Sequence, residues 1–98
     1  MSKINSKQKS KRKSRIFSLE ASDAKEVFLM GDFNSWSPET HPMRKDENGI
    51  WKIQVMLSPG NYEYKFLVDG QWKEDPRNNR RCPNCFGSYN SVIRMPET

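Results

Sequence analysis

Apolar and polar residues alternate with a period of two along most of this chain. In Trp51-Lys52-Ile53-Gln54-Val55-Met56-Leu57, the residues Trp51, Ile53, Val55 and Leu57 share one face, the pattern of a half-buried strand. The turn formers Ser58-Pro59-Gly60-Asn61 follow, and then Tyr62, Tyr64, Phe66 and Val68 alternate with Glu63, Lys65, Leu67 and Asp69. Two such runs joined by a Pro-Gly loop predict an antiparallel hairpin. Asp69-Gly70 is the strongest short turn signal in the chain and leads directly into Gln71-Trp72-Lys73, predicting a second hairpin. Residues 15–20, 26–30 and 90–95 read as further strands. Glycine or proline punctuates nearly every join, and no stretch carries a helical stripe of useful length. The expected fold is all-β, a small antiparallel β-sandwich.

Composition sets limits on that picture. At 98 residues and 34% hydrophobic, the chain has material for one modest core and none to spare for a large catalytic cleft. No run reaches the ~18 apolar residues that a membrane-spanning helix needs. Charge divides the chain unevenly. Seven of the 17 basic residues (Lys3, Lys7, Lys9, Lys11, Arg12, Lys13 and Arg15) fall in positions 1–15, with no acid among them. Positions 16–98 hold the other ten basic residues against all 12 acids, a net of −2. The basicity therefore belongs to a tail, residues 1–14, attached to a faintly acidic domain, residues 15–98.

That tail has Ile4 as its only aliphatic after Met1 and cannot bury enough apolar surface to offset its chain entropy, so it is expected to be disordered. It also lacks the apolar core of a secretory signal, which favours the cytoplasm. Lys11-Arg12-Lys13 could touch nucleic acid or an anionic membrane surface. A solubilising extension with no dedicated partner accounts for it better.

The chemistry-bearing residues argue against an enzyme. His41 is the only histidine, and it sits in Glu39-Thr40-His41-Pro42 with no nucleophile beside it. Glu74-Asp75 are adjacent, so on a strand end their carboxylates point to opposite faces. No glycine-rich phosphate loop exists. Cys82-Pro83-Asn84-Cys85 is a lone CxxC without the second pair that zinc requires. In a reducing compartment two free thiols are expected there, with no metal or other cofactor.

The tryptophans say more. Trp51 is in phase with Ile53, Val55 and Leu57 and reads as core. Trp36 lies in the turn-rich stretch Gly31-Asp32-Phe33-Asn34-Ser35-Trp36-Ser37-Pro38, and Trp72 follows a tight turn. Neither position favours burial, so both are expected at the surface. Exposed indoles beside Lys, Asn and Ser suit a sugar, whose apolar C–H face packs on the ring while amides and hydroxyls bind its rim. Local packing and nucleobase stacking fit the same two residues.

Residues 27–36 (VFLMGDFNSW), 60–72 (GNYEYKFLVDGQW), Asp75-Pro76 and 86–93 (FGSYNSVI) resemble carbohydrate-binding module family 48. That family includes the glycogen-binding domain of the AMP-activated protein kinase β subunit and the isoamylase N-terminal domain. The likeness covers roughly residues 15 to 96. It implies an immunoglobulin-like (early set) β-sandwich that binds α-1,4-linked glucan without catalysis: glycogen, starch, maltooligosaccharides or β-cyclodextrin. It implies that Trp36 and Trp72 are stacking indoles and that Lys65 and Asn90 hydrogen-bond sugar hydroxyls. Phe86 stands where the kinase module has a leucine, and Ser88 where it has a threonine. Lys65 would otherwise read as an ordinary solvent-facing strand lysine. The alternative is a docking or regulatory subunit of a glycogen-metabolising enzyme or kinase, with weak or vestigial sugar binding.

Overall fold

Every strand pairing among the described residues is antiparallel. The computed structural model describes residues 12–37, 40–84 and 87–97. Within them run β1 (Lys13–Glu20), β2 (Val27–Gly31), β3 (Arg44–Lys45), β4 (Ile50–Leu57), β5 (Gly60–Val68), β6 (Gln71–Lys73), β7 (Arg81–Pro83) and β8 (Tyr89–Met95), with a single 3-10 turn at Asp32–Asn34. One sheet has the order β1-β4-β3; the other has the order β2-β5-β8-β7, with β6 also on β5. The all-β expectation holds. β1 starts earlier than the pattern indicates, since Lys13 lies opposite Leu57 and Ser14 opposite Met56. Residues 13 and 14, read above as tail, are thus in the sheet. Residues 1–11 lie outside the described residues, as do Cys85 and Phe86.

One expected hairpin does not form. β4 pairs with β1 and β3, while β5 pairs with β2, β6 and β8, so the two strands stand in different sheets. Ser58 and Pro59 carry the chain across, with Gly60 at φ 147°, a backbone region almost closed to other residues. The physical reason is burial. Both strands present a large apolar face, and those faces can cover one another only across a sandwich, not side by side in one sheet.

The core is the result. Phe17, Leu19, Trp51, Val55 and Leu57 from the first sheet meet Val27, Leu29, Tyr64, Phe66, Ile93 and Met95 from the second. Phe17 and Tyr64 touch edge to face across the gap, with ring centroids 5.0 Å apart. Trp51 is 6% exposed, and its Nε1 donates to the Ala21 carbonyl at 2.9 Å, so its indole is both buried and satisfied, as the alternation predicts. Tyr64 also fastens the segment after β6. Its hydroxyl donates to Asp75 Oδ2 at 2.7 Å and accepts from Asn78 Nδ2 at 3.0 Å. Burial first, and then the bond to Asp75, raise its pKa far above the tyrosine norm, so it stays a neutral donor. Asn78 reaches on to the Val92 carbonyl, tying the loop to β8.

Candidate functional site

Core packing uses the residues of β5 at even positions, which leaves Glu63, Lys65 and Leu67 on the outer face of its sheet. Residues directly opposite on paired strands project to the same side. Trp72 lies opposite Leu67, Val92 opposite Glu63, Met30 opposite Lys65 and Cys82 opposite Asn90. This face floors a groove of about 810 Å³. Five of the six residues singled out from the sequence line it: Trp36, Lys65, Trp72, Ser88 and Asn90. The sixth, Phe86, lies outside the described residues.

Two turns bring the indoles together. Asp69 and Gly70 both have positive φ, 48° and 84°, the backbone of a two-residue turn that matches strand twist. The hairpin it closes lifts Trp72 to 52% exposure. Trp36 comes from the other side, after the 3-10 turn, where Ser35 and Trp36 both occupy the left-handed region at φ 55° and 58°. Non-glycine residues adopt that region only when their surroundings compel it. Here the compulsion is visible. Trp36 N–H donates to the Gly31 carbonyl at 3.0 Å and to Asn34 Oδ1 at 3.1 Å, and its indole Nε1 donates to Asp32 Oδ1 at 3.2 Å. The two indoles meet at 6.2 Å between centroids, with planes inclined by 65°. They form two walls of a corner, not one flat floor.

Lys65 is not the ordinary solvent-facing strand lysine that its alternation alone would suggest. It is 7% exposed, not solvent-facing, because the groove walls enclose its strand face. Its Nζ donates to Ser88 Oγ at 2.9 Å. An ammonium carries three N–H donors, so capacity remains for hydroxyls of a ligand. Asn90 is 8% exposed and donates to Glu63 Oε1 at 3.0 Å. Asn84 joins the set: its Nδ2 reaches both Ser88 Oγ and Asn90 Oδ1 at 3.0 Å, and its Oδ1 accepts from Ser88 N–H at 3.2 Å.

Reading the sequence missed Asp32, Glu63, Glu74 and Asn84, all of which line the groove. Glu63 was within reach of the pattern, since it shares the face of Lys65 at a spacing of two. Asn84 was hidden inside CPNC, where the cysteines suggest thiol chemistry. Cys82 is a free thiol whose pKa is pushed up by burial, and further by the carboxylate of Glu63. This keeps it protonated and poorly nucleophilic. His41 sits behind the Trp36 loop, and burial lowers its pKa.

The groove combines inclined apolar rings with an ammonium, amides, a hydroxyl and carboxylates, which is a set of sugar-recognition chemistry. Residues 16–98 match the family model described as "Glycogen recognition site of AMP-activated protein kinase". Protein PTST homolog 2, chloroplastic, from Arabidopsis thaliana is 53% identical over 53 residues, 54% of this chain and 10% of that protein. Protein FLOURY ENDOSPERM 6, chloroplastic, from Oryza sativa subsp. japonica is 38% identical over 61 residues, 62% of this chain and 11% of that protein. The beta-1 subunit of 5'-AMP-activated protein kinase from Rattus norvegicus is 38% identical over 74 residues, 76% of this chain and 26% of that subunit. The chain thus spans about a tenth of the two plant proteins and about a quarter of the kinase subunit. With its family model matched from Ile16 onward, the chain belongs to the family of glycogen recognition sites of AMP-activated protein kinase.

Proposed function

We propose that this protein binds α-1,4-linked glucan, of the kind found in glycogen, starch and maltooligosaccharides, and performs no chemistry on it. The observation that carries this reading is the convergence of Trp36, Trp72, Lys65, Ser88 and Asn90 on one groove. The 65° between the indoles suits a chain that curves, as an α-1,4 glucan does, better than a flat ribbon. Each indole covers roughly 100 Å² of sugar, or about 2.5 kcal/mol at ~25 cal/mol/Å². Lys65, Ser88 and Asn90 bind hydroxyls at the rim, and the family resemblance adds Phe86 to the residues that contact the sugar. Set against an association cost of at least ~4 kcal/mol, these contacts imply a dissociation constant between micromolar and millimolar. Calorimetry with maltoheptaose or β-cyclodextrin tests this. Nanomolar binding, or none at millimolar ligand, contradicts it.

A second reading, docking onto a glycogen-metabolising enzyme or kinase, has its own support. Ile16 and Met56 are 63% and 49% exposed on the outer face of the sheet that does not carry the groove. Retention of the protein by soluble glycogen but not by dextran or DNA in a native gel favours the first reading. Among the described residues no helix is long and apolar enough to cross a membrane. The cytoplasm fits the sequence, although two of the relatives are chloroplastic by name.

A further inference from the structure

Asn34 is 9% exposed, and its side chain has no idle atom. Oδ1 accepts from Gly31 N–H at 3.0 Å and from Trp36 N–H at 3.1 Å. Nδ2 donates to the Leu29 carbonyl at 2.9 Å and lies 2.8 Å from His41 Nδ1. Three backbone groups decide how the amide is oriented: two N–H groups require an oxygen on one side, and one carbonyl requires the NH₂ on the other. The amide therefore faces the histidine as a donor, and Nδ1 must be the unprotonated, accepting nitrogen. A charged imidazolium has N–H at both ring positions. Its Nδ1–H would then oppose Nδ2–H of Asn34. Turning the amide over does not help, because NH₂ would then confront the N–H groups of Gly31 and Trp36.

We infer that Asn34 is the positioning residue for Trp36, and that it holds the indole in place only while His41 is uncharged. The inference rests on the glucan-binding reading and adds regulation to the same site: binding is sensitive to acid. The strained segment depends on this clamp, since Ser35 and Trp36 are held at φ 55° and 58° and Asn34 supplies one of the acceptors for the Trp36 N–H. The charged groups on the surrounding elements are otherwise engaged or turned to solvent. Asp32 accepts from Trp36 Nε1 and Glu63 N–H, Lys65 donates to Ser88, Lys45 donates to the Ser22 carbonyl, and Arg44 is exposed. Glu39 lies outside the described residues. Burial alone lowers the pKa of the ring, which keeps the clamp closed at neutral pH.

The test measures maltoheptaose affinity of the full chain from pH 8 to pH 5, a range in which ordinary carboxylates stay ionised. Affinity should be flat near neutrality and fall at least about fivefold toward pH 5, since a buried hydrogen bond is lost. In His41→Asn the new Oδ1 stands near where Nδ1 was and cannot titrate, so binding should persist and become flat with pH. Asn34→Asp should weaken binding at pH 7.5, because a carboxylate would face the Leu29 carbonyl. A glucan-independent readout accompanies these: in NMR, the indole N–H resonance of Trp36 should shift along the titration curve of His41. An unvarying wild-type affinity, an acid loss in His41→Asn equal to wild type, or an indole signal indifferent to His41 overturns the inference. If maltoheptaose fails to bind even at pH 7.5, the glucan reading falls, and the indole signal still decides whether the clamp exists.

Discussion

The two faces of β5 make opposite use of one strand. Tyr64 and Phe66 point inward and are 1% and 0% exposed, packed against the opposing sheet. Glu63 and Lys65 point outward, and Lys65 is nearly as hidden, at 7%, yet its neighbours are polar groups lining a groove. Burial on the first face is dry and contributes stability. Burial on the second is polar and contributes pre-organisation, because each side chain already has its partner before a ligand arrives. Burial on the two faces thus has different consequences, and substitutions should separate them.

The largest effect is expected on the inner face. Phe66→Ala or Trp51→Ala should cost about 3–5 kcal/mol of folding stability, as truncation of large core residues does, measured by denaturant unfolding, while the remaining folded molecules bind glucan normally. On the outer face, Trp72→Ala should remove about 2.5 kcal/mol of binding, roughly sixtyfold in Kd, with little change in the thermal midpoint. A midpoint collapse in Trp72→Ala would erase the distinction between the faces. Trp36→Ala should weaken binding similarly and also cost up to ~1 kcal/mol of stability, because Asp32 loses the indole N–H. Lys65→Met is a sharper probe. The stem volume is kept and the donor removed, so affinity should drop about tenfold while stability holds or rises.

Smaller effects follow from pH and from the tail. In the unfolded chain His41 titrates at its ordinary value of 6.5, and in the fold its pKa is lower. The fold therefore binds this proton less well than the unfolded chain does. The stability this contributes is complete above pH 6.5 and is lost as pH falls through 6.5 toward the folded value. Urea unfolding at pH 7.5 and 5.5 should show the loss, and His41→Asn should lack it. Removing residues 1–11 should alter neither folding nor glucan affinity, and binding should stay flat between about 50 and 500 mM salt, since a neutral glucan releases no counterions. Cutting through residue 14 is a different experiment, because Lys13 and Ser14 pair with Leu57 and Met56.

Much of this was legible in the chain, and what was not has physical causes. The period-two pattern marked β4, β5 and β8 and set Trp51 inside, because alternation reports which face is buried. It could not say against what. Hence Asp69-Gly70 was read correctly as a hairpin, its φ values being a local property of two residues, whereas the turn at Ser58-Pro59 was misread. Whether two alternating strands lie side by side or face to face depends on partners elsewhere in the chain, here β1 for β4 and β8 for β5. The alternation alone was silent on Lys65 in the same way: outward from the core did not mean outward to water, since Trp36 and Ser88 come from other segments, and Trp72 from the neighbouring strand, to line the groove around it. The Asn34 clamp was invisible for a related reason, since its bonds join Leu29, Gly31, Trp36 and His41 through backbone geometry that no residue spacing announces.

The pairing of β1 with β4 also has a consequence in time. Lys13 meets Leu57, so during synthesis the first strand emerges long before its native partner exists. The β5–β6 hairpin, closed by two residues, can form on the scale of microseconds, while β1 must wait as an unpaired edge. Such an edge invites association with other chains. Lys13 and Arg15 lie on it, and like charges on neighbouring nascent chains repel. Charge on an edge strand disfavours edge-to-edge pairing, so the basic residues at the start of the sheet bear on the interval before residue 57 is made as well as on the finished fold.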